Sequence, residues 1–269
     1  MIPLRDDAPS GTFPTVTLAL IVTNVLVFMY EVANGLDPII LKFGLMPASV
    51  WSLGGADVAF GAIPAVPPDQ AADVARHVEL VTTVAMEHVR LVPLLFVTAM
   101  FLHASIPHII GNMWFLWLFG DNIEDRLGHG GFIIFYLVCG LGASAAHVFF
   151  TGPTGMHAFT PMVGASGAIA GVLGAYFVCF PRAKVLTIVP IFFIFFLRLP
   201  AFLFLILWLL GQVSGVLSPE SGIAWWAHIG GFVLGAALAV VWPKCKRSRQ
   251  SDYEAKPDVW RARRRGMLG

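Results

Sequence analysis

Six long apolar segments dominate this 269-residue chain, and they restrict it to a membrane fold. A membrane-crossing helix needs about 20 mostly apolar residues, and shorter ones are tolerated where neighbouring helices shelter them. Charged residues make up 12% of the sequence, whereas a soluble domain carries about 25%. The pattern predicts an all-α polytopic membrane protein. We number its predicted spans 1 to 6, at residues 15–32, 107–120, 131–151, 164–180, 199–217 and 225–242.

Positive charge is concentrated at the C-terminus, where nine of the 17 Lys and Arg residues follow residue 243. Cytoplasmic segments next to spans are rich in Lys and Arg, so this tail predicts a cytoplasmic C-terminus. An even number of spans then places both termini on that side. The predicted parts are a short cytoplasmic N-terminus (1–14), a membrane domain (15–243) with a long first outer loop (33–106), and a basic tail (244–269).

Two further apolar stretches, 91–105 and 185–197, each contain a proline, Pro93 and Pro190. We interpret both as interfacial or re-entrant segments, since irregular backbone is tolerated at membrane depth where protein buries it.

Polar residues occur at the beginnings of three spans. His108 and Asn112 begin span 2, Ser166 begins span 4 and His228 begins span 6. These three spans run in the same direction, so all four residues are predicted to share one layer near the outer face. Ionisable groups in hydrocarbon are costly and usually functional.

A serine and a histidine in one layer indicate nucleophilic catalysis. His228 can take the hydroxyl proton of Ser166 and return it. Side-chain donors on His108 and Asn112, one helical turn apart, and the free N–H of Ser166 at a helix start can stabilise an oxyanion. Spans 3 to 6 contain no Asp or Glu, which favours a Ser–His dyad.

Glycines around these residues predict close helix packing. Gly167 and Gly171 in span 4, and Gly231 and Gly235 in span 6, form small-xxx-small pairs that let helix backbones approach each other. Gly164, just before the serine, is expected to support the same packing.

Each of these residues also has a plainer interpretation. Ser166 could bond a carbonyl one turn back, and His228 and Asn112 could be polar contacts between helices. Ser144 and His147 form a second Ser/His pair on one face of span 3. Ser144 lies within its helix and lacks free N–H donors, so we interpret it as a packing residue and His147 as a possible hydrogen-bonding neighbour of the site.

No metal or other cofactor is predicted. His103, His108 and His228 have no accompanying carboxylate or H-E-x-x-H pattern, and the three cysteines show no C-x-x-C spacing. With a net charge of +1, no general attraction to nucleic acid is expected either.

Taken together, the motifs resemble those of the rhomboid intramembrane serine proteases, over about residues 15–243. The matching patterns are His103-x4-His108-x3-Asn112, Gly164-Ala165-Ser166-Gly167 and Ala227-His228-x2-Gly231-x3-Gly235.

The resemblance implies a six-transmembrane-helix rhomboid-like bundle whose first outer loop is partly embedded in the membrane. It implies a serine-type endopeptidase that cleaves transmembrane helices, usually of single-pass proteins, within the lipid bilayer. Ser166 would be the nucleophile, His228 the base, and His108, Asn112 and the Ser166 N–H the oxyanion hole. The short N-terminus, without a transit peptide pattern, favours a bacterial plasma membrane.

The sequence departs from the family in two places. Many members carry Tyr four residues after the nucleophile, where this chain has Ala170, and Trp225, Trp226 or Phe232 could fill that space instead. The Trp-Arg pair of the first outer loop is not evident, and residues 54–89 look like additional length.

Two other classes of protein fit the sequence less well. An inactive rhomboid-like escort of membrane clients would generally lack the serine or the histidine, and both are present. A small transporter or channel would show inverted repeats or paired intramembrane charges, whereas Arg198 stands alone near the beginning of span 5.

Overall fold

The computed structural model describes residues 1–8, 10–59, 71–190, 194–217 and 223–242. The predicted basic tail lies outside these residues, as do the prolines between 60 and 70. The helices of the described part are α1 (Thr15–Asn34), α2 (Leu36–Phe43), α3 (Pro47–Leu53), α4 (Ala71–His88), α5 (Val92–Thr98), α6 (Ile106–Leu127), α7 (His129–Thr151), α8 (Ser166–Cys179), α9 (Ala201–Val216) and α10 (Trp225–Val241). Its strands are β1 (Ile2–Asp6), β2 (Lys184–Pro190) and β3 (Ile194–Pro200).

The six predicted spans are helical and correspond to α1 and α6 to α10. By length and composition, three helical segments of the described part could cross a membrane: Thr15–Asn34, Ala72–Phe101 and His129–Thr151. Helices α8, α9 and α10 are apolar but shorter. These features support a polytopic membrane protein, and the number of six crossings stays a prediction.

The predicted first outer loop is largely helical. One of the three span-length segments, Ala72–Phe101, lies within it and consists of α4, α5 and two short 3-10 turns. Pro93 occupies the first turn of α5, where its missing N–H costs no helical hydrogen bond. The stretch 91–105, predicted as interfacial or re-entrant, is therefore a short helix that leads through an extended residue, Leu102, towards α6.

Helix α8 lies at the centre of the helix bundle. Eleven of its 14 residues are buried, whereas only four of the 16 residues of α9 are buried. Its sequence of Gly and Ala residues leaves room for neighbours on every side, and α6, α7 and α10 pack around it. The nucleophile candidate, Ser166, is the first residue of this buried helix.

Glycines bring the backbones of α8 and α10 into direct contact. A methyl group added at Gly231 would overlap the carbonyl oxygen of Gly167, and one added at Gly235 would overlap the carbonyl oxygen of Gly171. Gly174 likewise faces the carbonyl oxygen of Phe232. No side chain larger than hydrogen fits at these positions, so helix packing depends on them.

The structure contains an antiparallel three-stranded sheet, in the order β1–β2–β3, which the all-α prediction missed. Residues 185–190 and 194–197, from the stretch predicted as interfacial or re-entrant, belong to strands β2 and β3. Val185 and Thr187 point inward while their neighbours are more exposed, which is the period-two pattern of a strand. The predicted N-terminal tail contributes β1, which pairs with β2.

Glu124 of α6 caps the beginning of α1 at the same end of the bundle as the sheet. Its buried carboxylate accepts hydrogen bonds from the backbone N–H groups of Val16 (2.8 Å) and Thr17 (2.7 Å) and from the Thr17 hydroxyl (2.7 Å). These are N–H groups that the helix itself leaves unpaired, and a carboxylate there also complements the helix dipole. The cap fixes α1 against α6.

We expect Gly235→Ala to destabilise the protein, because the new methyl group would push α10 away from α8. Overpacking of this kind costs about 1–3 kcal/mol, and the displacement should also separate Ser166 of α8 from His228 of α10. The measurement is the midpoint of thermal unfolding in detergent.

Gly211→Ala in α9 is the matched control, since an added Cβ there meets no described atom within 4 Å. It should leave the midpoint unchanged or raise it slightly. Equal midpoints for the two variants would contradict the packing argument.

Candidate active site

Ser166 and His228, on helices α8 and α10, lie within hydrogen-bonding distance of each other. The His228 Nε2 atom is 2.8 Å from the Ser166 Oγ atom. Each residue lies near the start of its helix. The glycine contacts between the two helices bring these two starts together at the same end of the bundle. The distance is that between a nucleophile and its base.

Ser166 and His228 line a cavity of about 870 Å³ between α6, α8, α9 and α10. Its wall is mostly apolar, and a small number of polar groups converge on Ser166, which is the usual composition of a ligand site. The polar lining includes His108, Asn112, Gln212 and Thr160.

Asn112 and His108, predicted to stabilise an oxyanion, both line this cavity from α6. The Asn112 amide is buried, and its Nδ2 atom has no hydrogen-bond partner among the described residues. A buried donor without a partner carries a desolvation cost, and a bound ligand oxygen would relieve it. The first N–H groups of α8, beginning with that of Ser166, are also unpaired within the helix.

Gly164 lies between the histidine of α6 and the serine of α8, and not in the helix contact where it was predicted. A Cβ at this position would be 2.8 Å from His108 Nε2 and 3.5 Å from Ser166 Oγ. Its φ of +125° is a conformation that side chains disfavour, and its N–H donates to the carbonyl of Ala99 (2.8 Å). Glycine therefore keeps the space between the two side chains open.

The segment before α6 is held by a buried carboxylate that the sequence analysis did not identify. The backbone N–H of His103 donates to both oxygens of Glu31 (3.1 and 3.2 Å), and the His103 ring contacts the His108 ring edge-on at 5.0 Å. Burial, with a smaller contribution from His108, lowers the pKa of the His103 imidazole to about 4. The ring is thus neutral at pH 7 and supports His108 by contact.

Helix α9 supplies two further neighbours of the histidine that the sequence analysis did not single out. The Nδ1 atom of His228 is 2.7 Å from the Oε1 atom of Gln212, and the Trp208 ring lies 6.2 Å from the imidazole. The Trp225 ring, one of those expected to replace the family tyrosine, lies edge-on at 6.0 Å. Trp208 on α9 and Trp225 on α10 therefore enclose the histidine ring. Ala170, at the position of the family tyrosine, is itself buried.

The remaining candidates, Ser144 and His147, do not line this cavity. Ser144 is buried within α7, and His147 lines a neighbouring cavity of about 200 Å³ together with His157. Among the described residues, no three His, Cys, Asp or Glu side chains are grouped closely enough to hold a metal ion.

The fold and this site define an α-helical membrane protein with a serine and a histidine facing a shared cavity. A family model described as the Rhomboid domain matches residues 90–245. The chain belongs to the rhomboid family.

Several relatives share part of the sequence. RHOMBOID-like protein 12, mitochondrial, from Arabidopsis thaliana is 30% identical over 57% of this chain and 46% of its own length. Rhomboid protein 1, mitochondrial, from Saccharomyces cerevisiae is 29% identical over 50% of this chain and 38% of its own. Rhomboid protease GluP from Bacillus subtilis is 38% identical over 29% of this chain and 14% of its own.

The matched region thus spans about half or less of these relatives' own length. Two of them are named as mitochondrial and one is bacterial, which does not support the predicted bacterial plasma membrane. The similarity supports a membrane protein without indicating which membrane holds it.

We expect Gly164→Ala to lower the rate at which Ser166 reacts with a fluorophosphonate probe by at least about tenfold, since loss of an oxyanion donor, the role predicted for His108, costs about 10²–10³. The added methyl group would displace the His108 imidazole. Labelling would be followed by in-gel fluorescence on the detergent-solubilised protein.

Gly152→Ala controls for backbone strain alone. Gly152 also has a positive φ, +77°, but a Cβ there meets no described atom within 4 Å. If both variants lose labelling equally, backbone strain explains the loss of labelling, and the space beside His108 does not.

Proposed function

We propose that this chain is an intramembrane serine endopeptidase, which hydrolyses peptide bonds in or near transmembrane helices through an acyl-enzyme. The observation that carries the proposal is the 2.8 Å distance between Ser166 Oγ and His228 Nε2 at the wall of a cavity. Membership of the rhomboid family supports it, and so does the similarity to a relative named as a rhomboid protease.

The reaction begins when His228 Nε2 takes the Ser166 hydroxyl proton and Oγ bonds to the substrate carbonyl carbon. The tetrahedral intermediate collapses as the C–N bond breaks, and the imidazolium gives its proton to the leaving amine. A water molecule then loses a proton to Nε2, attacks the ester and releases the new carboxyl terminus. Ser166 regains its proton from His228.

The oxyanion of each tetrahedral intermediate needs donors aimed at it. We assign this role to the Asn112 amide, the His108 imidazole and the N–H of Ser166. The unpaired Nδ2 of Asn112 supports the assignment, because a ligand oxygen in the cavity would give this donor a partner.

The substrate class we propose is a transmembrane helix, usually of a single-pass protein, that reaches the cavity from the bilayer. Backbone carbonyls in a helix are hydrogen-bonded, so the segment must unwind to present one to Ser166. Entry beside α9 fits its low burial and its exposed apolar residues, which include Leu207, Leu210 and Val213. Small residues near the cut and helix-breaking residues after it are the expected preference.

We place the cavity near the outer face of the membrane and the sheet near the cytoplasmic face. Strand β1 pairs with β2, so the N-terminus and the α8–α9 connection lie at one end of the bundle. Ser166 and His228 begin their helices at the other end. The basic residues after 243 favour a cytoplasmic location for the sheet end.

Ser166→Ala and His228→Ala should each abolish cleavage of a single-pass transmembrane reporter and labelling by the fluorophosphonate probe. The first removes the nucleophile and the second removes its base. Ser144→Ala is the matched control, because Ser144 is a buried serine of α7 outside the cavity. Cleavage or labelling that survives Ser166→Ala in folded protein would reject the mechanism, and a wild type that neither cleaves nor labels would support an inactive family member.

Asn112→Ala should lower kcat and kcat/KM together by about 10²–10³, because the lost interaction forms only with the oxyanion. Asn24→Ala is the control. Asn24 is also a buried asparagine in a helix, but its amide donates to the Leu20 carbonyl of its own helix (2.8 Å). An Asn112→Ala variant that raises KM alone would point to a role in substrate binding instead.

A further inference from the structure

We propose that Gln212 of α9 is a positioning residue that holds the His228 imidazole in the tautomer needed to activate Ser166. The inference rests on the proposed function and adds a third side chain to the expected dyad. The His228 ring is bonded at both nitrogens, by Gln212 Oε1 at Nδ1 (2.7 Å) and by Ser166 Oγ at Nε2 (2.8 Å).

The orientation of the Gln212 amide follows from its second hydrogen bond. The Nε2 atom of Gln212 donates to the backbone carbonyl of Trp208, one helical turn earlier, at 3.1 Å. A carbonyl oxygen can only accept, so the NH2 end of the amide must face Trp208. The carbonyl end of Gln212 must therefore face His228.

The amide orientation in turn fixes the histidine proton. Since Gln212 Oε1 can only accept, the neutral imidazole must carry its hydrogen on Nδ1. The lone pair is then on Nε2, facing Ser166. In the other tautomer Nε2 would carry the hydrogen and could not remove the proton of Ser166, while two acceptors, Nδ1 and Oε1, would face each other.

Gln212 suits an apolar surrounding better than a carboxylate would. It is buried in α9 at 9% exposure, and an ionised Asp or Glu at that depth carries a large desolvation cost. An amide performs the orienting part of the task without a charge. The packing of Trp208 near the same ring restricts its movement further.

The arrangement makes catalysis depend on the position of α9. Ser166, His228 and Gln212 come from α8, α10 and α9, so the hydrogen-bonded series crosses three helices. Helices α8 and α10 are fixed by their glycine contact, whereas only four of the 16 residues of α9 are buried. Displacement of α9 would break the hydrogen bond between Gln212 and His228 Nδ1, and the imidazole would lose its preference for the tautomer with the proton on Nδ1.

The first test reads the tautomer directly and does not require activity. The protein carries Ser166→Ala and ¹⁵N-labelled histidine, and the His228 ring signals are identified by their loss in His228→Ala. With no serine hydroxyl present, we expect the proton on Nδ1 at neutral pH. Gln212→Met, which keeps the side-chain length and removes the acceptor, should shift the proton to Nε2 or give a mixture.

The second test uses active protein with the transmembrane reporter. Gln212→Met should lower kcat by about 10- to 100-fold, within the range that positioned proton transfer contributes, and change KM less than about twofold. Gln212→Glu acts as an acceptor while its carboxyl is ionised, so it should recover most of kcat at high pH, and the desolvation cost of the buried charge should appear as a lower unfolding midpoint. If both variants lower the unfolding midpoint by the same amount and do not differ in kcat, Gln212 has a merely structural role and the proposal is overturned.

The two tests separate the inference from the proposed function. If wild type neither cleaves nor labels but the Nδ1 proton moves in Gln212→Met, the positioning role stands and the protease function fails. If wild type cleaves and Gln212→Met keeps the Nδ1 proton and full kcat, the positioning role is rejected and the protease function stands.

Discussion

The backbone contact between α8 and α10 is the constraint on which the rest of the structure depends. Gly167 and Gly171 of one helix touch Gly231 and Gly235 of the other. Ala143 of α7 packs against the same contact, beside Gly167 and Gly231. In a bilayer, where lipid tails are as apolar as Leu, helices associate through such close packing and polar contacts. Because Ser166 directly precedes Gly167, the same contact that joins the helices sets the distance between nucleophile and base.

The two ends of the bundle use polar residues in different ways. At the end opposite the cavity they join separate elements: Glu124 caps α1, and Asp6 of β1 accepts from Tyr176 (2.5 Å) and Asn122 (2.9 Å). At the cavity end, the donor of Asn112 has no partner among the described residues. Satisfied polar groups rigidify a structure, whereas unsatisfied ones need an explanation, and ligand binding is a common one.

The sequence predicted helices α1 and α6 to α10, because their apolar length is a strong pattern, but not helices α2 to α5 of the first outer loop. Apolar length located α1 and α6 to α10, and helix direction alone put Ser166 and His228 at one end. The sheet was missed because an apolar run with a proline resembles a membrane segment, although the alternation at Val185 and Thr187 carried the strand signal. Gln212 was missed since its partner lies on another helix, yet a lone amide in the apolar helix α9 was a detectable signal.

The pairing of β1 with β2 has a consequence for the order in which the chain assembles. Residues 2–6 are synthesised long before their partners, which are residues 185–188, the hydroxyl of Tyr176 and the indole of Trp114, which donates to the Pro3 carbonyl. Contacts so distant in sequence form late, because a long loop must close before they gain anything. Strand β1 therefore stays unpaired with β2 until the residues after α8 have been synthesised, and its docking comes late in the assembly of the bundle.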